Sequence, residues 1–190
     1  MLLEGNRLLA GATSTGTQSE LVEQPVIYTN TVNTEVNIEG DLEIDVVSSG
    51  GSASFVYGAN SQQSIEEGEY IEWVVNTPTN QNRTFVGLSY TDGGTSYTSI
   101  KYSWYLYHLN NRAYVFQNNI NVSNANAVTI TYSQGSVFRI TRDNGNIIYS
   151  LDGVDYDTLV DANPSAPMIV DICMANIPGV VSKVEDLVVG

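Results

Sequence analysis

From about residue 40 onward the chain is a succession of short runs in which apolar and polar side chains alternate, each closed by turn-forming residues. A period of two sends successive side chains to opposite faces, so these runs predict half-buried β-strands. Leu42-Glu43-Ile44-Asp45-Val46 alternates strictly, and Tyr70-Ile71-Glu72-Trp73-Val74-Val75 sets Ile71, Trp73 and Val75 on one face. The same pattern predicts strands over residues 84–88, 102–107, 113–116, 127–132, 137–141 and 147–151, around Ile169, and over 184–189. Asn144-Gly145 and Asp152-Gly153 favour positive φ and predict tight hairpins. The five prolines (Pro25, Pro78, Pro164, Pro167, Pro178) fall at strand edges or loops, where a missing N–H is tolerated. No run keeps a helical period. The predicted class is all-β, a β-sandwich.

Residues 1 to about 35 have a different texture, rich in Gly, Ser, Thr, Asn and Gln, with short apolar clusters at Leu2-Leu3, Leu8-Leu9 and Pro25-Val26-Ile27-Tyr28. Alone, such a segment buries too little surface to offset its ordering entropy. It orders only when its own domain, a symmetry mate or a larger assembly holds it. The expected division is therefore an extended N-terminal arm or anchor over residues 1–38 and a sandwich domain over 39–190. One sandwich of ordinary size accounts for 190 residues.

Charge narrows the partners. Seven basic against 21 acidic residues leave a net charge of −14, a field that repels phosphate backbones and anionic headgroups. Neither nucleic-acid binding nor membrane insertion is expected. Cys173 is the single cysteine and lies in the apolar run 168–174, where a buried, inert thiol is expected. The first ten residues carry an acid before their first base and no sustained apolar stretch, so no secretory signal is expected there.

Several segments carry a family likeness over residues of about 50–189: Glu69-Tyr70-Ile71-Glu72-Trp73, then Phe85-Val86-Gly87-Leu88-Ser89, then the stretch from Ser96-Tyr97 to Leu106, then Val137-Phe138-Arg139-Ile140 with Ile147-Ile148-Tyr149-Ser150-Leu151-Asp152-Gly153. In order and spacing this part resembles the concanavalin A-like and SPRY-like β-sandwich modules, in the divergent form of phage and bacterial surface proteins. The resemblance implies a two-sheet antiparallel jelly roll whose loops or one sheet face bind glycans, peptides or neighbouring subunits. It does not imply an enzyme, because fold and function are separable.

Catalytic leads are few. Glu43-Ile44-Asp45-Val46-Val47-Ser48 is similar to the Glu-x-Asp-x-x-Glu strand of certain retaining glucanases that share the jelly roll. Retaining hydrolysis needs two carboxylates about 5 Å apart, and Ser48 stands where the second would be. His108 is the only histidine, and no glycine pattern flags a nucleophilic serine. Asp152, Asp155 and Asp157 crowd one turn and are the calcium candidates, although they lack EF-hand spacing. No cofactor is expected.

Aromatic usage is more informative. Twelve tyrosines against four phenylalanines suit a binding surface, since tyrosine pairs an apolar face with a polar tip. Alternation sets Tyr102, Trp104 and Leu106 against Tyr105 and Tyr107, and Ala113 and Val115 against Tyr114 and Phe116. With the Trp104 side as core, Tyr105, Tyr107, Tyr114 and Phe116 form an aromatic strip on the opposite face, near Arg112 and His108. That strip could stack on sugar rings, dock a subunit, or pack beneath a loop as a second small core. The leading expectation is a non-enzymatic structural subunit on the surface of a virion: a capsid-decoration, head-fibre or tail-adhesion protein of a bacteriophage. It would be a homo-oligomer, held to other virion subunits by residues 1–38, with a host-surface glycan as a further partner. The alternative is a free, extracellular carbohydrate-binding module, and the third reading is a glycoside hydrolase.

Overall fold

A computed structural model describes residues 22–36, 42–44, 55–76, 83–123, 129–175 and 183–190. Chain order gives β1 (Gln24–Pro25), β2 (Tyr28–Val32), β3 (Thr34–Val36), β4 (Leu42–Ile44) and β5 (Phe55–Ile65). Then come β6 (Tyr70–Val74), β7 (Thr84–Ser89), β8 (Tyr102–Tyr107), β9 (Arg112–Gln117), β10 (Ile120–Asn121) and β11 (Ile130–Thr131). Five longer strands follow: β12 (Val137–Asp143), β13 (Asn146–Leu151), β14 (Val154–Val160), β15 (Met168–Ala175) and β16 (Lys183–Val189).

Among the described residues these strands form two eight-stranded antiparallel sheets. The first runs β14-β13-β12-β6-β16-β4-β3, with β1 also on β16; the second runs β10-β9-β8-β7-β15-β5-β2, with β11 also on β9. The expected two-sheet sandwich is what forms. Of the segment expected as an arm, residues 24–36 are strands of the sandwich: β1 pairs with β16, β2 with β5 and β3 with β4. The remainder of that arm, residues 1–21 and 37–38, lies outside the described residues.

The hairpins follow from local chemistry. Asn144-Gly145 (φ 51° and 73°) and Asp152-Gly153 (52° and 76°) join β12 to β13 and β13 to β14 through two-residue turns. Positive φ at both central residues matches the turn to the right-handed twist of the strands. Asn118-Asn119 (50° and 64°) does the same between β9 and β10 without a glycine.

The inward faces meet in one core. Ile71, Trp73 and Val75 of the first sheet, as alternation predicts, are fully buried opposite Trp104, Leu106 and Val115 of the second. Phe138 joins the layers: it stacks on Trp73 at 5.4 Å and meets Trp104 edge-on at 5.2 Å. Each such side chain contributes on the order of 2–3 kcal/mol by leaving water. The Trp104 Nε1–H donates across the sandwich to the Arg139 carbonyl at 3.2 Å.

One end of the sandwich is closed by a buried ion pair. Arg142, near the end of β12, and Asp161, just past β14, both have fully buried side chains and meet at 2.9 Å. Arg142 also donates to the carbonyls of Ile65 (2.5 Å) and Pro164 (3.2 Å). The second Asp161 oxygen accepts from the Tyr90 hydroxyl and from the Asn163 N–H at 3.0 Å. Burial alone would raise the Asp161 carboxyl, but these hydrogen bonds and the guanidinium together hold it below the usual range. The network ties β5, β7 and β12 to the 161–164 link.

Candidate functional site

The outward face of β8 and β9 is set by their alternation. Tyr102, Trp104, Leu106, Ala113 and Val115 are buried inward; Tyr105, Tyr107, Tyr114 and Phe116 are half-buried on the other face, and Arg112 is exposed. Register arranges the outward residues in rows. Tyr107 lies opposite Arg112, Tyr105 opposite Tyr114, and Ser103 opposite Phe116. β10 adds Asn121 beside Phe116, and β11 adds Thr131 beside Arg112. Tyr105, Tyr107, Tyr114, Phe116 and Asn121 line an open groove of about 310 Å³.

The strip is anchored at one end. Phe85 on β7 is buried and stacks on Tyr105 at 4.4 Å, with Phe116 edge-on at 5.2 Å. Tyr97, from the segment between β7 and β8, covers Phe85 at 4.9 Å. Phe85, Ile100 and Cys173 thus make a small second core on the outer face, with Tyr105 and Phe116 at its margin. Tyr107 and Tyr114 lie beyond it. One end of the strip is thus the margin of a minor core, and the other opens into the groove. Burial, with neighbouring tyrosines, pushes the Tyr105 hydroxyl up to about 12 against the lowering field of Arg83.

Arg83 immediately precedes β7, and its guanidinium carbon stands 5.5 Å from the centre of the Tyr107 ring. Its backbone has φ +48°, uncommon for a side-chain-bearing residue. Register thus sets Arg83, Tyr107 and Arg112 in one row across the β7 end, β8 and β9, at the Tyr107 end of the groove. Sequence reasoning missed Arg83, because only the β7–β8 register brings it beside Tyr107.

A polar patch lies on the same outer face, on the far side of the minor core. Asp171 on β15 is fully buried opposite Asn60 and Gly87. One of its oxygens accepts from the Ser89 hydroxyl at 2.8 Å; the other has no partner among the described residues. Burial, aided by the charge of Asp92 and opposed by the Ser89 hydrogen bond, pushes the Asp171 carboxyl up to about 7. The folded protein then keeps a proton to about pH 7 that the unfolded chain releases near pH 4. Folding takes up that proton between the two values, so stability falls as the pH rises through this window, by at most about 1.4 kcal/mol per pH unit. Asp171→Asn should flatten the decline between pH 5 and pH 8 and should be at least as stable as the parent at pH 8. Urea midpoints at the two pH values check this; parallel profiles for parent and variant would contradict it. The adjacent Cys173 is buried as expected: it donates to the Thr95 carbonyl at 2.7 Å, and burial pushes its thiol up to about 12.

The first sheet carries a second cleft, of about 360 Å³, whose charged lining is Glu72, Arg139, Asp143 and Asp155. Arg139 pairs with Glu72 at 2.6 Å and lies over the Tyr70 ring at 3.9 Å.

No protein-family model matches the chain, and no curated protein matches it. Solved structures do. The SPRY domain of human HERC1 is similar over 84% of this chain and 98% of its own, with TM-score 0.52 and 11% identity. The carbohydrate recognition domain of Emp46p, as a point mutant, is similar over 83% and 85%, with TM-score 0.53 and 14% identity. The fold is the concanavalin A-like jelly roll. A third structure, β-agarase A in complex with oligoagarose, is similar over 78% of this chain and 72% of its own, with TM-score 0.51 and 14% identity.

Within this jelly roll the remaining candidate residues separate. Asp152 adopts φ 52° in its turn and accepts from the Val137 N–H (2.8 Å) and the Ser136 hydroxyl (3.3 Å). A bulge between Tyr149 and Ser150 sets Asp157 opposite the inward Tyr149 and Asp155 opposite Ser150, which lines the outer cleft. The three candidate calcium ligands therefore do not converge, and no metal-ligand cluster of three or more His, Cys, Asp or Glu side chains exists among the described residues. The possible catalytic strand contributes β4, on which Glu43 lies opposite Lys183. Asp45 and Ser48 lie outside the described residues. His108 opens a short 3-10 turn (His108–Asn110) directly after β8.

Proposed function

We propose that the chain is a non-enzymatic, lectin-like domain that binds saccharide in the outer groove of β8 and β9. The observation that carries this reading is the groove itself: four aromatic side chains in register, with Asn121 on its wall, on an outward sheet face. Half-buried tyrosines present a rigid apolar face to a sugar ring and a polar tip to its hydroxyls, at little cost in side-chain entropy. Among the described residues the groove is lined by Tyr, Phe and Asn without a carboxylate, whereas glycoside hydrolysis uses a pair. The Emp46p domain recognises carbohydrate and β-agarase A holds oligoagarose, so the fold is compatible with the role.

An oligosaccharide panel should yield at least one soluble ligand. Tyr114→Ala should weaken its binding by about tenfold or more, the size of a hot-spot aromatic truncation. Val154→Ala, at an exposed position on the other sheet, should leave affinity unchanged. Isothermal titration reads both, and a Tyr114→Ala protein that binds as tightly as the parent sinks the proposal.

A second reading, a subunit on a virion surface anchored through its N-terminal segment, is favoured by a separate observation. Val22, Ile27, Val32 and Val36 are exposed aliphatics, and β2 and β3 end the two sheet orders. Apolar side chains on strand edges suit burial against another subunit. A chain that sediments as a monomer and is absent from particles counts against it.

A further inference from the structure

We propose that the ligand of this groove is an anionic saccharide, bearing a uronate carboxylate or a sulfate ester, clamped by Arg83 and Arg112. The inference rests on the saccharide-binding reading above and names the ligand's chemistry. It starts from where the few cations lie. The chain has seven Lys and Arg against 21 Asp and Glu, so an unneutralised cation is unusual on its surface. Arg139, Arg142 and Lys183 each pair with a carboxylate, at 2.6, 2.9 and 2.8 Å. Lys101, 6.0 Å from the Tyr90 ring, pairs with no carboxylate among the described residues, and neither do Arg83 and Arg112; of these three, Arg83 and Arg112 share the row of Tyr107 at one end of the groove.

The Arg83 Nε is buried and makes no hydrogen bond among the described residues, so a ligand would meet the terminal nitrogens of that guanidinium, which carry no ion pair there. Arg112 is exposed on the opposite strand. Among the described residues no carboxylate lines the groove. The net charge repels most anions at long range, and the two guanidiniums of this row would favour one locally. Their planar forks match a carboxylate or sulfate in two-point hydrogen bonds. A pyranose ring over Tyr107 or Tyr114 would carry an acidic substituent toward that row, so stacking and charge select together.

The test uses the full chain and three probes: an oligogalacturonate, the same oligosaccharide with its carboxyls methyl-esterified, and a sulfated galactan oligosaccharide. Tyr114→Ala, Arg112→Gln and Arg83→Gln are measured alongside, with unfolding midpoints confirming that each variant is folded. At least one acidic probe should bind about tenfold or more tighter than the ester, the scale of one charge-assisted hydrogen bond. That affinity should fall as salt is raised, and Arg112→Gln should remove most of the preference for the acid. Binding of the uronate alone identifies a carboxylate site, and binding of the sulfated probe alone a sulfate site; either supports the proposal. Equal affinity for acid and ester overturns it and leaves the saccharide-binding reading standing. Binding of no probe overturns it, and that reading then falls only if no neutral saccharide of the panel binds either. Acid binding untouched by both arginine variants, or an oligoglutamate that competes as well as the sugar, also overturns it.

Discussion

Asp161→Ala should destabilise the fold by about 3–5 kcal/mol, because it leaves the Arg142 guanidinium buried without its counter-charge. Both side chains are fully buried, and among the described residues Arg142 has only the Ile65 and Pro164 carbonyls as other acceptors. The substitution also deprives the Tyr90 hydroxyl of its acceptor and leaves the Asn163 N–H with the Tyr90 oxygen at 3.0 Å. The cost arises from stranding a charge rather than from losing a strong bond. Replacing both partners with apolar residues, as in Arg142→Met with Asp161→Leu, should therefore recover much of the loss. Urea unfolding of the two proteins measures it, and a single variant within about 0.5 kcal/mol of the parent would contradict the account of this network. The pH signature is opposite to that of Asp171. The Asp161 carboxyl is held below its usual range, so its contribution is present above the unfolded value near 4 and is lost as the pH falls through the lower folded one.

Gly87→Ala should be the most damaging single-methyl substitution in the second sheet, at about 1–3 kcal/mol or more. A Cβ at this position would stand 2.1 Å from the Tyr102 carbonyl oxygen, 2.6 Å from Ser103 Cβ and 2.8 Å from Ile100 Cγ2. The nearest of these is β8 backbone, which cannot swing aside as a side chain can, so relief requires β7 and β8 to part. That pair sets Tyr105 beside Phe85 and Tyr107 beside Arg83, so saccharide affinity should fall together with the thermal midpoint. An unchanged midpoint would show that β8 yields without cost. Gly58→Ala meets the Ile172 carbonyl at 2.5 Å and belongs to the same class.

These two sites show where the sequence is legible and where it is not. Strands with one apolar and one polar face were readable: Ile71, Trp73 and Val75 on β6 and its neighbour, and Tyr105, Tyr107, Tyr114 and Phe116 opposite the core, lie where alternation puts them. β5 was not readable. Its Tyr57-Gly58-Ala59-Asn60-Ser61-Gln62-Gln63-Ser64 has weak alternation, and it owes its place to β15 on one side and β2 on the other. Of the strand expected over 127–132, only Ile130–Thr131 is described as β11. The asparagine pair at 118–119 turns a hairpin that a search for Asn-Gly passes over. The burial of Arg142 was not readable, because its partner lies 19 residues away across a link whose path only the tertiary fold decides. Likewise, alternation assigns a face to each groove residue but cannot supply register. Arg83 beside Tyr107, and Phe85 beneath Tyr105, are consequences of pairing between strands distant in sequence.

The saccharide-binding claim is tested most directly by following backbone amide resonances of the labelled chain during titration with the tightest oligosaccharide of the panel. The expected shifts cluster at Tyr105, Tyr107, Arg112, Tyr114, Phe116 and Asn121, saturate together, and disappear in Tyr114→Ala. Shifts centred instead on the Glu72 and Arg139 cleft of the first sheet, or no saturable shifts at all, would contradict it.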